Sequence, residues 1–231
     1  MATSGTYTFN SSVGEMVLYA YNLVGIRNTS IVQEHMEAAR MATNMMLASW
    51  ANQGVNLWKV DLVSVTLVQG QTTYPVDSKT VMVLDAYVET TSGNSDPIDR
   101  LILPVSRTEY ASYPNKQQQG FTTVYWFDRL ISPTITLWPV PDGTSAQTLK
   151  YYRVTQMQDA NFTSGQTADI PYRWLEAFTD GLAYRLAKIW KPDAAVGLKA
   201  VSDDSYRIAS QQDIEQVQQY ISPQISGYFR P

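Results

Sequence analysis

The chain has 231 residues, of which 44% are hydrophobic and 12% aromatic, and it contains no cysteine. This length is enough to bury a substantial core, and the lack of cysteine excludes disulfides and thiolate metal sites. Seventeen basic residues against twenty-one acidic residues give a formal net charge of −4. Proteins that coat duplex DNA gain affinity from basic residues that neutralise phosphates, so this balance argues against tight, sequence-independent DNA binding.

The beginning of the chain has the pattern of neither a signal peptide nor a membrane span. No basic residue precedes the first apolar run, which covers residues 16–26 and is interrupted by Asn22 and Gly25. The run is also too short to cross a bilayer. We therefore expect a protein that is made in a cytoplasm and stays there or in an assembly built there.

The first predicted helix begins at Ser12. Ser12 followed by Glu15 fits a capping box, in which each residue satisfies a free backbone N–H of the first turn. Gly25 is a plausible end, because glycine commonly follows the last helical turn. The helical period predicts that the side chains facing the core are Met16, Tyr19, Ala20, Leu23 and Val24.

A second, longer helix is predicted from a cap at Ser30 with Gln33 to a stop near Gly54. The short turn between the two helices favours an antiparallel pair. The apolar face predicted for this helix consists of His35, Ala38, Ala39, Ala42, Met45, Met46 and Trp50.

Between residues 55 and 158 the apolar period changes from helical to two. Segments such as "VDLVSVTLVQG", "TVMVLDAYVET", "TITLWPV" and "TLKYYRV" alternate apolar and polar residues, and glycine or proline turns separate them. No long helical pattern intervenes to permit parallel crossovers. The sequence therefore predicts an antiparallel β module of six or seven strands.

Helical patterning returns in "PYRWLEAFTDGLAYRLAKIW", which begins at Pro171. Proline suits the first helical turn, where its missing N–H has no partner in any case. The predicted core stripe is Leu175, Phe178, Leu182, Leu186 and Ile189, with Trp174 beside it.

Pro192 is predicted to end this helix, and a further helix is predicted from Asp193 to Tyr220. That helix begins apolar, at Val196 and Ala200, and then becomes polar, so its far end is expected to project from the core.

The predicted fold class is α+β, with the N- and C-terminal helices packed as a bundle and an antiparallel β module inserted between them. The bundle is assigned to residues 12–54 and 171–221, the β module to 55–158, and an extended tail to 222–231. The two helical parts must pack together, because neither can bury its apolar stripe alone.

The residues that could carry chemistry form no specific pattern. His35 is the single histidine and falls on an apolar helix face, which predicts a structural or surface role. The pair Asp203–Asp204 lies on a helix without the loop that calcium sites use. A glycosidase needs two carboxylates, for which the candidates are Glu89, Asp96, Asp99, Glu109 and Asp128. Nothing in their spacing is specific, and any β domain of this size has as many acids, so solvated surface acids are favoured and we predict no catalysis and no cofactor.

Two tryptophans, Trp50 and Trp58, flank Gly54 in the segment "NMMLASWANQGVNLW". Each tryptophan buries a large area, so the pair can fix the angle between the helices and the first strand. A core role at this corner is favoured over a role in ligand binding.

Five segments occur in an order that resembles a known family. They are "NMMLASWANQGVNLW", "VTLVQGQTTYPV", "DRLILPVSRTEYASYPNKQQQGFTTVYWFD", "ITLWPVPD" and "DIPYRWLEAFTDGLAYRLAKIW". The set resembles the head-to-tail adaptor, or connector, proteins of tailed bacteriophages, and in particular the packaged-DNA stabilisation and tail tubular proteins of short-tailed phages. The resemblance extends from about residue 14 to residue 200.

The resemblance implies a dodecameric ring beneath the portal protein of the filled capsid, located in the neck of a virion assembled in the host cytoplasm. Such a ring continues the channel for packaged DNA and offers a platform for the tail or the next adaptor component, with no membrane involved. C-terminal extensions in the family reach the portal, so the expected portal contacts are Tyr220, Ile221, Ile225, Tyr228 and Phe229.

The negative charge also suits a channel, because phosphates are repelled from its wall rather than bound. Two alternatives stay open from the sequence. The chain could be another tail-completion or fibre-attachment protein, or a cell-wall glycosidase carried in the virion.

Overall fold

The computed structural model describes residues 5–6, 9, 11–53, 57–91, 96–162 and 165–214. Within these ranges the fold is α+β, with five α-helices and one curled seven-stranded sheet. The predicted fold class is confirmed at this level. In the same ranges, no helix has both the length and the apolar character that a membrane crossing requires.

Four helices flank the sheet in sequence, and a short fifth helix lies inside the sheet region. Helix α1 spans Val13–Val24, α2 spans Gln33–Ala51 and α3 spans Arg107–Ser112. Helix α4 spans Leu175–Trp190 and α5 spans Pro192–Gln211. Helix α4 contacts α1, α2 and α5, so it lies between the other long helices.

The predicted ends of α1 are confirmed. The Ser12 hydroxyl accepts a hydrogen bond from the Glu15 backbone N–H at 3.3 Å, and the Glu15 carboxylate accepts one from the Ser12 N–H at 2.8 Å. Gly25 ends the helix in the left-handed conformation, with φ of 81°, which glycine adopts without steric cost.

The predicted cap of α2 at Ser30 is wrong. The Ser30 N–H donates to the Arg27 carbonyl and closes a 3₁₀ turn over Asn28–Ser30. The chain is then extended at Val32, and α2 begins one residue later. The His35 Nδ1 atom accepts a hydrogen bond from the Val32 N–H at 3.5 Å. The imidazole therefore satisfies a backbone donor next to the first turn.

The predicted extent of α5 is also wrong. The helix ends at Gln211, and residues 212–214 form a turn. The Asp213 carboxylate accepts hydrogen bonds from the Leu57 backbone N–H at 3.2 Å and from Arg173 Nη2 at 2.7 Å. These two contacts hold the chain away from a helical path, and residues 215–220 lie outside the described residues.

The helical core contains most, but not all, of the predicted side chains. Phe178, Leu182 and Leu186 of α4 are buried as predicted, and a Cβ at Gly181 would lie only 2.7 Å from the Met46 Sδ atom of α2. The glycine therefore permits the close approach of these two helices. The predicted core residues that are instead exposed are Tyr19, Leu23, Met45 and Ile189.

The sheet has the strand order β1-β7-β3-β4-β5-β6-β2. The strands are β1 Val60–Thr66, β2 Thr73–Pro75, β3 Thr80–Thr91, β4 Ile98–Pro104, β5 Val124–Asp128, β6 Thr134–Trp138 and β7 Ala146–Thr155. Register shifts interrupt the β3–β7 pairing, and such bulges increase local twist. The curled sheet encloses a second hydrophobic core, which is separate from the helical one and includes Val88, Ile102, Leu137 and Leu149.

One strand pair differs from the predicted all-antiparallel arrangement. Strands β4 and β5 are parallel, with Leu103 opposite Val124 and Pro104 opposite Tyr125. Residues 105–123, which include α3, return the chain to the side of the sheet from which β4 began. The prediction failed because α3 is short enough for its sequence to resemble a loop.

A nearly buried arginine joins three parts of the sheet. The Arg153 side chain is 8% exposed and holds Asp61 through two hydrogen bonds, of 2.7 and 3.1 Å. It also donates to the Thr80 hydroxyl at 3.0 Å. The hydrogen bond from Arg153 holds the pKa of Asp61 below its ordinary value of 3.8. Bidentate pairs of this kind add directional specificity as well as energy.

We expect Asp61→Asn to lower the free energy of unfolding by about 1–2 kcal/mol at neutral pH, because it leaves the buried guanidinium of Arg153 beside a neutral partner. Urea denaturation measures this loss. The matched control is Asp204→Asn, since Asp204 and its partner Arg207 are both 60% exposed. That control should cost no more than about 0.5 kcal/mol, and equal losses in the two variants would contradict the role of Arg153.

The same pair predicts a pH dependence. Because the pKa of Asp61 is lowered in the folded state, its stabilisation is complete above the unfolded-state pKa and is lost as the pH falls through the folded-state pKa. The stability difference between the wild type and Asp61→Asn should therefore shrink as the pH falls below 3.8. A difference that grows in acid would contradict this assignment.

Candidate interaction surfaces

The residues predicted to bind a portal, Tyr220, Ile221, Ile225, Tyr228 and Phe229, lie outside the described residues. The last described residue is Ile214, which directly follows the turn at Asp213. Since Asp213 contacts Leu57 and Arg173, the described chain ends where the helices meet the sheet.

An aromatic cluster, formed by Trp50, Trp58, Trp174, Phe178 and Tyr206, occupies this corner. The ring centroid of Trp174 lies 5.2 Å from that of Trp50, 5.0 Å from that of Trp58 and 5.3 Å from that of Tyr206. Trp174 itself is 1% exposed. The core role predicted for Trp50 and Trp58 is confirmed, while Gly54 between them lies outside the described residues.

Polar contacts reinforce the same corner. Lys59 Nζ lies 2.6 Å from an oxygen of the Asp169 carboxylate, and that oxygen also accepts the Gln158 backbone N–H at 2.9 Å. The Trp58 indole N–H donates to the Asp169 carbonyl at 3.3 Å. These bonds tie the start of β1 to the segments before α4. The angle at which the sheet leaves the helices is thus set by packing and by directional bonds together.

His35 has structural contacts, as predicted. Its imidazole stacks on Trp190, with centroids 4.1 Å apart and planes within 11°. The Tyr21 ring meets it edge-on at 5.6 Å, and the Tyr21 hydroxyl donates to the His35 carbonyl. Burial raises the pKa of Tyr21 to about 12. His35 therefore packs between α1 and the end of α4.

The predicted acidic candidates are distributed over the surface of the sheet region. Glu89 pairs with Lys150, and Asp99 lies opposite Glu89 on the neighbouring strand. Neither of these acids, nor Asp96, Glu109 or Asp128, lines the cleft of about 580 Å³ between α2 and the β5–β6 hairpin. In the described part of the chain, no group of three or more histidine, aspartate or glutamate side chains is arranged to hold a metal ion.

Exposed apolar side chains form two surfaces on the helical part. The first, here the α1/α4 surface, is a cleft of about 480 Å³ lined by Phe9, Tyr19 and Leu175 together with Glu15 and Glu176. Tyr19 is 55% exposed, although its helical position predicts a core residue. This surface combines apolar side chains with two acids.

The second, the α2/α4 surface, is a cleft of about 280 Å³ lined by Met41, Met45 and Ile189 together with Arg185 and Lys188. Met45 and Ile189 are 58% and 54% exposed. This surface combines apolar side chains with two bases, so its charge is opposite to that of the α1/α4 surface.

A third apolar feature lies at the tip of the β5–β6 hairpin. Leu130 and Ile131 form this tip, and Ile131 is 98% exposed. The described part of the chain therefore exposes large apolar side chains both on its helices and on its sheet.

The number of apolar residues in α1 indicates an exposed apolar surface, although helical periodicity alone does not show which of these residues are exposed. Helix α1 has the sequence "VGEMVLYAYNLV", in which apolar residues occur at more positions than one stripe provides. A surface helix buries one face against its own core. The apolar residues left over, among them Tyr19 and Leu23, are therefore exposed.

Comparison with known families finds one matching model, described as SU10 adaptor protein, over residues 29–226. The match begins after α1 and continues past the last described residue. It includes Tyr220, Ile221 and Ile225 but stops before Tyr228 and Phe229. No curated protein matches the chain.

The aromatic cluster makes a direct prediction for stability. We expect Trp174→Ala to lower the free energy of unfolding by about 3–5 kcal/mol, because it removes a fully buried indole and leaves a cavity. The matched control is Tyr172→Ala, two residues earlier, where the side chain is exposed; its effect should stay within about 0.5 kcal/mol. Thermal or urea denaturation of both variants tests this, and similar losses would contradict the central position of Trp174.

Proposed function

This chain belongs to the SU10 adaptor protein family, which makes it a head-to-tail adaptor of a tailed phage, and we propose that it forms a ring that joins the portal to the tail and continues the DNA channel. The family implies a structural role in the virion neck, with portal and tail components as partners. We further propose a dodecameric ring, assembled in the host cytoplasm, in which the chain has no catalytic function and no cofactor.

The observation that supports a ring is the presence of two separate apolar surfaces on the helical part of one subunit. A subunit in a closed ring contacts one neighbour through one patch and the next neighbour through another patch. Covering exposed apolar side chains such as Tyr19, Met45 and Ile189 with a neighbouring chain removes them from water, which favours association. Two such surfaces therefore suit a chain that has a neighbour on each side.

We propose two structural units, a helical bundle of residues 12–54 and 171–221 and a β module of residues 55–158, with a tail from 222. The two separate hydrophobic cores support this division. In the proposed assembly the helical unit faces the portal and the β module faces the tail. The tail follows the Asp213 turn and supplies apolar side chains to the portal.

Packaged DNA passes through the proposed ring without specific binding. The net charge of −4 on each chain supports this, because repeated negative charge repels phosphates at the channel wall. Cross-linking of packaged DNA to the ring tests the point. Acidic residues should lie nearest the DNA, and predominant contact through lysine and arginine would contradict the proposal.

The portal contact is tested by removing residues 215–231. The truncation leaves Asp213 and its contacts with Leu57 and Arg173 in place. We therefore expect the stability of the folded part to be unchanged and portal association to be lost. Co-sedimentation with purified portal measures the association, and circular dichroism measures the folding.

A finer variant, Tyr228→Ser combined with Phe229→Ser, should weaken portal association by at least about tenfold, because two aromatic anchors are removed. Gln218→Ser combined with Gln219→Ser is the matched polar control and should bind as the wild type does. If the aromatic variant binds portal as the wild type does, these two tail residues do not contribute to the portal interface.

Mass measurement of the full chain tests the ring itself. We expect mostly monomer for the protein alone and a ring when portal is added as a template. A stable trimer would favour a fibre-attachment protein, and the absence of any portal association would contradict the adaptor role.

A further inference from the structure

We infer that the α1/α4 surface of one subunit docks onto the α2/α4 surface of the next copy, with Glu176 of the first facing Arg185 of the second. This inference rests on the proposed ring and names the two halves of its subunit interface. The occupant of each surface is therefore a second copy of the same chain.

The chemistry of the two surfaces is complementary. Both expose apolar side chains beside α4, which can be buried against each other. One carries Glu15 and Glu176, and the other carries Arg185 and Lys188. Opposed charges of this kind align two patches and disfavour the reverse orientation. Two copies of the same surface would instead place like charges together.

Arg185 provides independent support. Its side chain is partly buried, and burial lowers the pKa of its guanidinium. Within the described part of the chain no residue forms a hydrogen bond or an ion pair with it. A guanidinium has five N–H donors, and leaving a desolvated cation unpaired is costly. A carboxylate from another chain would supply the acceptors that the described residues of this chain do not.

Helix geometry excludes pairing within one subunit. Glu176 and Arg185 are nine residues apart on α4, which is about 2.5 helical turns and a rise of about 13.5 Å. Their side chains therefore leave the helix on opposite sides. Glu176 can meet an Arg185 only on a different copy, and repeating that contact from copy to copy gives a head-to-tail arrangement that can close into a ring.

Thiol cross-linking tests the contact cleanly, because the chain has no cysteine of its own. Tyr19→Cys places one thiol on the α1/α4 surface, and Met45→Cys places one on the α2/α4 surface. With portal present, the double variant should give a ladder of linked species up to the full ring. An equal mixture of the two single variants should give dimers only, and each single variant alone should give none.

The matched control is Ile98→Cys combined with Leu101→Cys, since both side chains are exposed and lie on β4, a strand of the sheet. This control should give no ladder. Dimers from either single variant would indicate a two-fold contact between like surfaces and would overturn the inference. A ladder of equal yield from the β4 pair would overturn it as well.

Charge reversal provides a second readout that a folding defect cannot imitate. Glu176→Arg or Arg185→Glu alone should reduce the yield of rings at least about tenfold, because each places like charges across the interface. Both substitutions in the same chain should restore the yield. If the combined variant fails to assemble while circular dichroism shows it folded, the pairing of these two residues is wrong.

Measuring portal association in the same samples separates this inference from the proposed function. Subunits that bind portal but give no ladder would contradict the interface and leave the adaptor role standing. A ladder formed by subunits that never bind portal would support the interface and contradict the adaptor role.

Discussion

The packing of α4 against three other helices is the constraint on which the rest of the structure depends. Its buried residues, which include Ala177, Leu182 and Ala187, lie at positions around the helix that no single partner could cover. Helices from both ends of the sequence must therefore meet around it. Trp174, immediately before α4, extends this packing to the start of the sheet through Trp58. One helix thus determines both the helical core and the corner.

This central position also explains why each exposed surface of the helical part combines α4 with one neighbour. The α1/α4 surface carries acids and the α2/α4 surface carries bases, and helix α4 contributes charged residues to both surfaces. Because both surfaces include α4, the geometry of this helix, rather than a loop, fixes their positions relative to each other. A subunit built in this way presents two complementary patches at a constant angle, which is what a closed ring of identical copies requires.

Local chemistry determined what the sequence could predict. Ser12, Glu15 and Gly25 marked the ends of α1 correctly, because capping depends on neighbouring residues. Periodicity assigned Met45 and Ile189 to the core, although both are exposed; it identifies apolar faces but cannot tell whether the same chain covers them. The end of α5 and the parallel β4–β5 pair depend on contacts between distant parts of the sequence, which local patterns do not contain. The portal contacts in the tail stay a prediction.

A cryo-EM reconstruction of the adaptor bound to its portal tests the proposed contact between subunits most directly. We expect a closed ring in which Glu176 of each subunit lies within about 4 Å of Arg185 of the next, the distance of an ion pair, with Tyr19 and Met45 buried at the boundary. A ring whose subunits meet through the sheet alone, with Glu176 and Arg185 both open to solvent, would contradict it.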